Sequence, residues 1–146
     1  MKPELYTPFR GLGGKNSITM TKDVQLIRAK LIEMLKEHLG TLKVRVDSDT
    51  NFEVIGTIEA IQGKKKVEGF YFSSVMPKPK DVRLYFFPAY THAKDFEGLS
   101  DRLQKFKKGK SCFHVKYLDE EMEQEIKAMI GKGIELYQKE GWVVSI

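Results

Sequence analysis

The amino-acid sequence predicts an α+β domain: an antiparallel sheet of about five strands, with helices packed mainly on one face. Three observations predict it. Segments of period-2 alternation follow one another between residues 42 and 87 with only short turns between them, as in an antiparallel meander. Segments of helical spacing stand near the two ends. A regular alternation of strand and helix, which a parallel nucleotide-binding sheet requires, is absent.

Residues 1–20 are glycine-rich without periodicity and read as an arm or loop; residues 21–146 read as a single domain. Thr21 is a suitable N-cap, because its hydroxyl can accept from a free N–H of the first turn. Val24, Ile27, Leu31, Met34 and Leu35 then follow helical spacing, and Gly40 stops the helix. Leu42, Val44 and Val46 alternate with Lys43, Arg45 and Asp47 as a half-buried strand. Ser48–Asn51 is a turn, and a second strand runs from Phe52 to Ala60. Gly63 and the lysines 64–66 form the next turn.

Residues 67–75 and 82–87 make two further strands, joined through Pro77, Lys78 and Pro79. Both carry apolar residues on both faces, so they are expected to be covered on both sides or to leave one face of aromatics open to a ligand. Pro88 ends the fourth strand. A short helix follows from Ser100 to about Lys107, with Leu103 and Phe106 inward. Residues 111–117 form a fifth strand. Asp119 caps a last helix whose inner stripe is Met122, Ile126, Met129, Ile130 and Tyr137, and Gly141 ends it.

The chain has 146 residues and one cysteine, Cys112, so no intramolecular disulfide is available. No secretory leader or membrane-length apolar run is visible, and a cytoplasmic location with no membrane partner is expected. Net charge is +5. Lysines gather at 64–66 and at 105, 107, 108 and 110, the latter expected as a solvated helix end. So mild a surplus does not make nucleic acid the expected partner; a weak nucleic-acid binder using these clusters ranks third.

Several motifs come close to a known chemistry and fall short. Gly11–Ser17 resembles a phosphate loop, but Phe9 and Asn16 stand where glycine and a hydroxyl are needed. Asp47–Asn51 resembles a calcium loop, but Phe52 and Ile58 replace the glycine and the bidentate glutamate, so it reads as a hairpin turn. Gly69–Phe72 resembles the aromatic strand of an RNA-recognition module, yet Glu68 stands where a base belongs, and core packing accounts for the rings. Cys112 and His114, two apart on a strand, share a face. They lack the further ligands of a metal site and the orienting carboxylate of a nucleophile, and Cys112 reads as a small buried hydrophobe. His92 is the other candidate ligand of the second half.

Asp119, Glu120, Glu121, Glu123 and Glu125 open the last helix. The macrodipole stabilises negative charge there, and Glu123–Lys127 and Glu135–Lys139 have i, i+4 spacing; a weak surface site for a hard cation is the functional alternative.

Tyr85-Phe86-Phe87-Pro88, with His92 shortly after, then Gly109-Lys110-Ser111 before a strand and Leu118-Asp119-Glu120 opening a helix, resembles the YdhG-like domains over residues 67–140. The Gly-Met-Pro segment usual in that family is absent from Thr50–Gly56. The resemblance implies an α+β fold with an antiparallel sheet. It also implies, from members described as frataxin-like, iron held weakly by surface carboxylates, and residues 119–125 are where such a role would map.

The leading expectation is a non-enzymatic domain for a small ligand or protein partner, since no convergent catalytic constellation is readable. Its candidate ligand-binding residues are Tyr85, Phe87, His92, Cys112 and His114. The iron-binding alternative uses Asp119, Glu120, Glu121, Glu123 and Glu125.

Overall fold

The structure, a computed structural model, describes residues 20–145. The arm expected over residues 1–20 lies outside them except for Met20, as does Gly11–Ser17. The first helix, α1, is Val24–Lys36. Its cap is Asp23 and not Thr21: the Asp23 carboxylate accepts from Leu26 N–H at 3.0 Å. A carboxylate answers both the orphan N–H and the positive helix end, which a hydroxyl two residues earlier does not. Thr21 instead accepts from Asp23 N–H and pairs its backbone with Leu118. Ile27, Leu31, Met34 and Leu35 are buried, as their spacing predicts.

Strands β1 (Leu42–Asp47) and β2 (Phe52–Gly56) form a hairpin, its turn closed by Ser48 N–H donating to Asn51 O at 2.9 Å. The second strand was expected to reach Ala60 but ends at Gly56. Residues beyond it form a separate hairpin, β3 (Ala60–Gln62) and β4 (Lys65–Val67), turning at Gly63 with φ 67°. Two glycines allow this detour. Gly56 N–H donates to Phe70 O at 2.9 Å, and a Cβ on Gly69 would overlap the Gly56 carbonyl. The chain re-enters the sheet as β5 (Tyr71–Pro77) and β6 (Val82–Phe86).

Pro88 opens a short helix, α2 (Pro88–Thr91), followed by a 3-10 turn at Ala93–Phe96; neither was anticipated. Proline ends a strand and suits a first helical position for the same reason, its missing N–H. Helix α3 (Asp101–Phe106) is capped by Ser100, with Leu103 and Phe106 buried as expected. Lys107 and Lys108 do not prolong it. They form a two-residue strand, β7, paired with β8 (Cys112–Val115). Helix α4 (Glu120–Glu140) starts at Asp119 and closes at Gly141, φ 77°.

The sheet has six strands in the order β1-β2-β5-β6-β8-β7, every pair antiparallel, against the five expected. The register sorts its side chains into two faces. Phe52, Val54, Val75, Leu84, Phe86 and Phe113 are cross-strand neighbours on one face and are fully buried. Helix α1 packs on β5 and β6, and the Phe96 ring meets Phe86 edge-on at 5.4 Å. Helix α4 lies over Phe86 and Pro88 at Gly133. Lys30–Glu123 (3.5 Å) and Lys127–Glu37 (3.9 Å) tie α4 to α1, so the expected Glu123–Lys127 pairing along α4 is given up for bonds between helices. The helices therefore gather on one face, and the α+β class is as predicted. No helix among the described residues is long and apolar enough to cross a membrane.

The two edges resist further pairing. Strand β1 carries Lys43, Arg45 and a register shift between Val44 and Val46, and β7 is two residues long. Charge, bulges and shortness are the usual means of blunting an edge.

The two glycines inside α4 differ in surroundings, and their substitutions should differ in sign. Alanine at Gly131 meets open space and should add up to about 1 kcal/mol of stability through helix propensity. A Cβ at Gly133 would sit 2.7 Å from Phe86 Cζ and 3.0 Å from Pro88 Cγ, both held in the core. Overpacking of about 1–3 kcal/mol should outweigh the propensity gain. Urea melts of Gly131→Ala and Gly133→Ala test the opposition; two stabilised variants would refute close packing at Gly133.

Candidate functional site

Among the described residues no helix lies on the second face of the sheet. On it the register aligns Glu53, Ser74, Tyr85, Cys112 and Lys108 in one row across β2, β5, β6, β8 and β7. Ile55 and Tyr71 lie in a row to one side, Met76, Arg83 and His114 to the other. A bulge makes this possible. Val54 pairs with Ser73 and Ile55 with Tyr71, so Phe72 has no partner on β2. The extra residue sends Phe72 into the core and sets Tyr71 and Ser74, three apart, on the same open face. Their hydroxyls meet at 2.6 Å.

The β3–β4 hairpin folds over one end of this face. It encloses a cleft of about 430 Å³ lined by Arg45, Glu53, Ile55, Gln62, Lys65, Val67, Gly69 and Tyr71. Gln62 Oε1 accepts from Tyr71 N–H at 3.0 Å, which ties hairpin to sheet. Glu53 is held by Arg45 at 2.7 Å. Burial pushes the Tyr71 hydroxyl up to about 12, against a smaller opposing effect of the Ser74 bond. Phe87 stands beside Tyr71, rings 5.4 Å apart, and Tyr90 beside Phe87 at 5.3 Å, so aromatic surface continues along this rim.

Tyr85, Cys112 and His114, expected as ligand residues, are thus neighbours on one half-exposed surface with Phe87 at its margin. Cys112 and His114 share a face, as their spacing requires, but they do not form a thiol–imidazole pair. Cys112 stands opposite Tyr85 in the β6–β8 register. Burial pushes the Cys112 thiol up, against smaller effects of Tyr85 and the Arg83 charge. His114 is pushed down by burial first and then by the Arg83 charge, against Asp81, whose Oδ2 lies 4.0 Å from Nδ1. Asp81 itself is bonded to Arg83 at 3.0 Å.

His92 is not part of this surface. Its Nε2 contacts Glu140 at 2.8 Å and its Nδ1 contacts Thr91 Oγ1 at 2.8 Å, beside Trp142 and Tyr137. It fastens α2 to the end of α4. Glu53, Gln62, Ser74, Asp81 and Arg83 were not singled out from the sequence. Strand alternation does place Arg83 and Glu53 opposite the core, but the bulge that adds Ser74 leaves no composition signal.

The acidic block is divided among Arg102, Lys30 and Ser100. Asp119 Oδ1 accepts from Met122 N–H at 2.8 Å and Oδ2 from Arg102 at 2.6 Å. Burial acts to raise the Asp119 carboxyl, but those two bonds outweigh it and hold it below the usual range. Glu121 pairs with Arg102, Glu123 with Lys30, and Glu125 accepts from Ser100. Glu120 is exposed. Among the described residues no three His, Cys, Asp or Glu side chains converge to hold a metal ion. A second cleft, about 380 Å³, opens between α3 and α4 beside Glu125 and Lys132. Its apolar walls are Phe96, Leu99, Leu103 and Met129, and Asp95 and Ser100 also line it. No family model, curated protein or solved structure matches the chain.

Two predictions follow from this geometry. Tyr71 ionises near 10.0 when unfolded and near 12 when folded, so the folded chain binds more protons in that interval. This contribution to stability is complete below pH 10 and lost as pH rises towards 12. The buried Tyr137 hydroxyl, also pushed up, acts in the same direction. Tyr71→Phe should flatten the fall in melting temperature across that window; an unchanged slope would place the titration elsewhere. At the other site, Asp119→Ala should cost about 1–2 kcal/mol by loss of cap and ion pair, and Asp119→Asn less, because asparagine still caps. Equal losses in denaturant melts would mean that the Arg102 pairing, and not the cap, carries the effect.

Proposed function

We propose that the chain is a non-catalytic binding domain whose ligand surface is the helix-free face of the sheet. The cleft beneath the β3–β4 hairpin is part of it. The supporting observation is the β5–β6–β8 register, which sets Tyr85 beside Cys112 and Arg83 beside His114, all partly exposed, with Tyr71 bonded to Ser74 opposite Tyr85. An uncovered sheet face needs only solvated side chains. This one presents rings with polar tips, the side chains suited to contacts that are apolar on one side and hydrogen-bonded at the end. The cleft volume of about 430 Å³ falls within the span of small-ligand sites.

Binding accounts for the chemistry better than turnover does. A nucleophilic thiol needs a depressed pKa and an adjacent base. Cys112 is pushed the other way, and the Asp81 carboxylate nearest His114 is engaged by Arg83.

The test is a thermal-shift screen of metabolites, nucleotides, short oligonucleotides and metal ions. A ligand of the native state at 100 times its dissociation constant adds about 2.7 kcal/mol. The compound that raises the wild-type melting temperature should lose that effect with Tyr85→Ala and with Gln62→Ala. A shift preserved in both variants would place the ligand elsewhere and overturn this reading. A shift selective for ferrous iron, lost on neutralising Glu120, Glu121, Glu123 and Glu125 together, would replace it with the iron-binding role that the YdhG-like resemblance implies.

A further inference from the structure

We infer that the occupant of the open sheet face is a single-stranded nucleic acid laid across the strands. The inference rests on the binding role proposed for that face and names its ligand class. It starts from where the fold puts the basic residues. Lys43 and Arg45 lie on β1 at one edge of the sheet, with the exposed Lys64, Lys65 and Lys66 on the hairpin beside it. Lys107 and Lys108 form β7 at the opposite edge, and Lys110 lies exposed in the turn that follows. Lys108, Lys116 and Arg83 all lie close enough to His114 to push its pKa down. Lys107 stands opposite the core residue Phe113 and Lys105 lies on α3, so of the second sequence cluster Lys108 and Lys110 border the open face.

The spacing of the two edges decides the size of the anion. The sheet order puts β1 and β7 five strand steps apart. At about 4.8 Å per step the two basic edges are roughly 24 Å apart. A mononucleotide cannot engage both, whereas a strand of a few linked nucleotides can.

Between the edges stand the rings that such a strand would use. Tyr85 and Phe87 are partly exposed, Tyr71 is largely buried, and Tyr90 is 51% exposed, with Lys110 Nζ 5.7 Å from its ring centre. Aromatic faces interleaved with cations bind single strands by stacking and phosphate contact together.

The acidic groups on this face are engaged by its own cations. Glu53 is paired with Arg45 at 2.7 Å, Asp81 with Arg83 at 3.0 Å and Glu68 with Lys43 at 4.0 Å, and Lys66 is likewise paired with Glu59 at 3.3 Å. A phosphate therefore competes with carboxylates at Lys43, Arg45, Lys66 and Arg83, while among the described residues Lys64, Lys65, Lys108 and Lys110 carry no such pair. The acidic block 119–125 is at the start of α4, in the helix layer. The blunted edges also disfavour a partner that would add a strand.

The experiment is fluorescence anisotropy of the full chain with labelled ten-nucleotide oligo(U) and oligo(dT), a duplex of equal length and a labelled mononucleotide. The expected result is binding of either single strand, tighter than duplex or mononucleotide. Affinity should fall with salt at a log–log slope of about −0.7 for each phosphate neutralised. Lys43→Glu and Lys108→Glu should each weaken binding and flatten that slope, while Lys127→Glu on α4 should change neither. Tyr90→Ala, at an exposed position, should weaken binding about tenfold or more without altering the fold, and Tyr85→Ala likewise. No binding at low salt, equal affinity for duplex or mononucleotide, or indifference to Lys43, Lys108 and Tyr90 would each overturn the inference. If oligonucleotides fail while a small molecule or protein partner is lost on Tyr85→Ala, the open-face reading survives and only the ligand class is wrong.

Discussion

The bulge at Phe72 is the constraint on which both halves of the molecule depend. Beside the unpaired Phe72, Tyr71 is paired with Ile55, but its N–H and C=O are bonded by side chains, as buried main-chain groups must be satisfied. Tyr137 supplies one bond, its hydroxyl donating to Tyr71 O at 2.8 Å from within the core. Gln62 supplies the other from the hairpin, accepting from Tyr71 N–H. A single residue thus fastens α4 to one side of the sheet and the β3–β4 hairpin to the other. Phe72, turned inward by the same irregularity, meets Phe86 at 5.5 Å and Tyr137 at 5.3 Å, both edge-on. That geometry is favoured by the ring quadrupoles.

Once α4 is held there, the placement of the other helices has little freedom. Gly133 brings α4 against Phe86 and Pro88, α1 fills the neighbouring strip through Ile27, Leu31 and Leu35, and Phe96 closes the far side of Phe86. Phe70, stacked on Trp142 at 3.9 Å and edge-on to Tyr137, seals the end where hairpin and C-terminal segment meet. The apolar helical stripes are spent on one sheet face. Among the described residues the other face keeps only the hairpin, a consequence of topology.

Most of the architecture was legible because it is written in local periodicity. Alternation marked β1, β6 and β8, and helical spacing marked α1 and α4. What was missed depends on contacts distant in sequence. The break of the second strand at Gly56 reflects backbone crossing at Gly69, which no pattern within residues 52–60 encodes. Lys107 and Lys108 look like a helix end until β8 offers them a ladder. The site was half legible for the same reason. Two-residue spacing put Cys112 and His114 on one face, but only the β6–β8 register sets Tyr85 opposite Cys112 and Arg83 opposite His114. His92 was grouped with them as the other candidate ligand by residue type, and folding carried it instead to Glu140.

Tyr71 also determines how the face can respond to an occupant. Its ring lines the cleft, while its main chain is bonded to α4 and to the hairpin. A ligand pressing on the ring therefore acts on a residue whose backbone is fixed from two sides. The sheet beneath is a stack of fully buried side chains, which cannot deform without opening voids. The hairpin has weaker ties: it is two strands of three residues, with exposed lysines and Ile61. Of the two walls of the cleft, the hairpin is the one free to adjust. Adaptation to ligands of different size would then reside in β3–β4, and the aromatic row on the sheet would stay fixed beneath them.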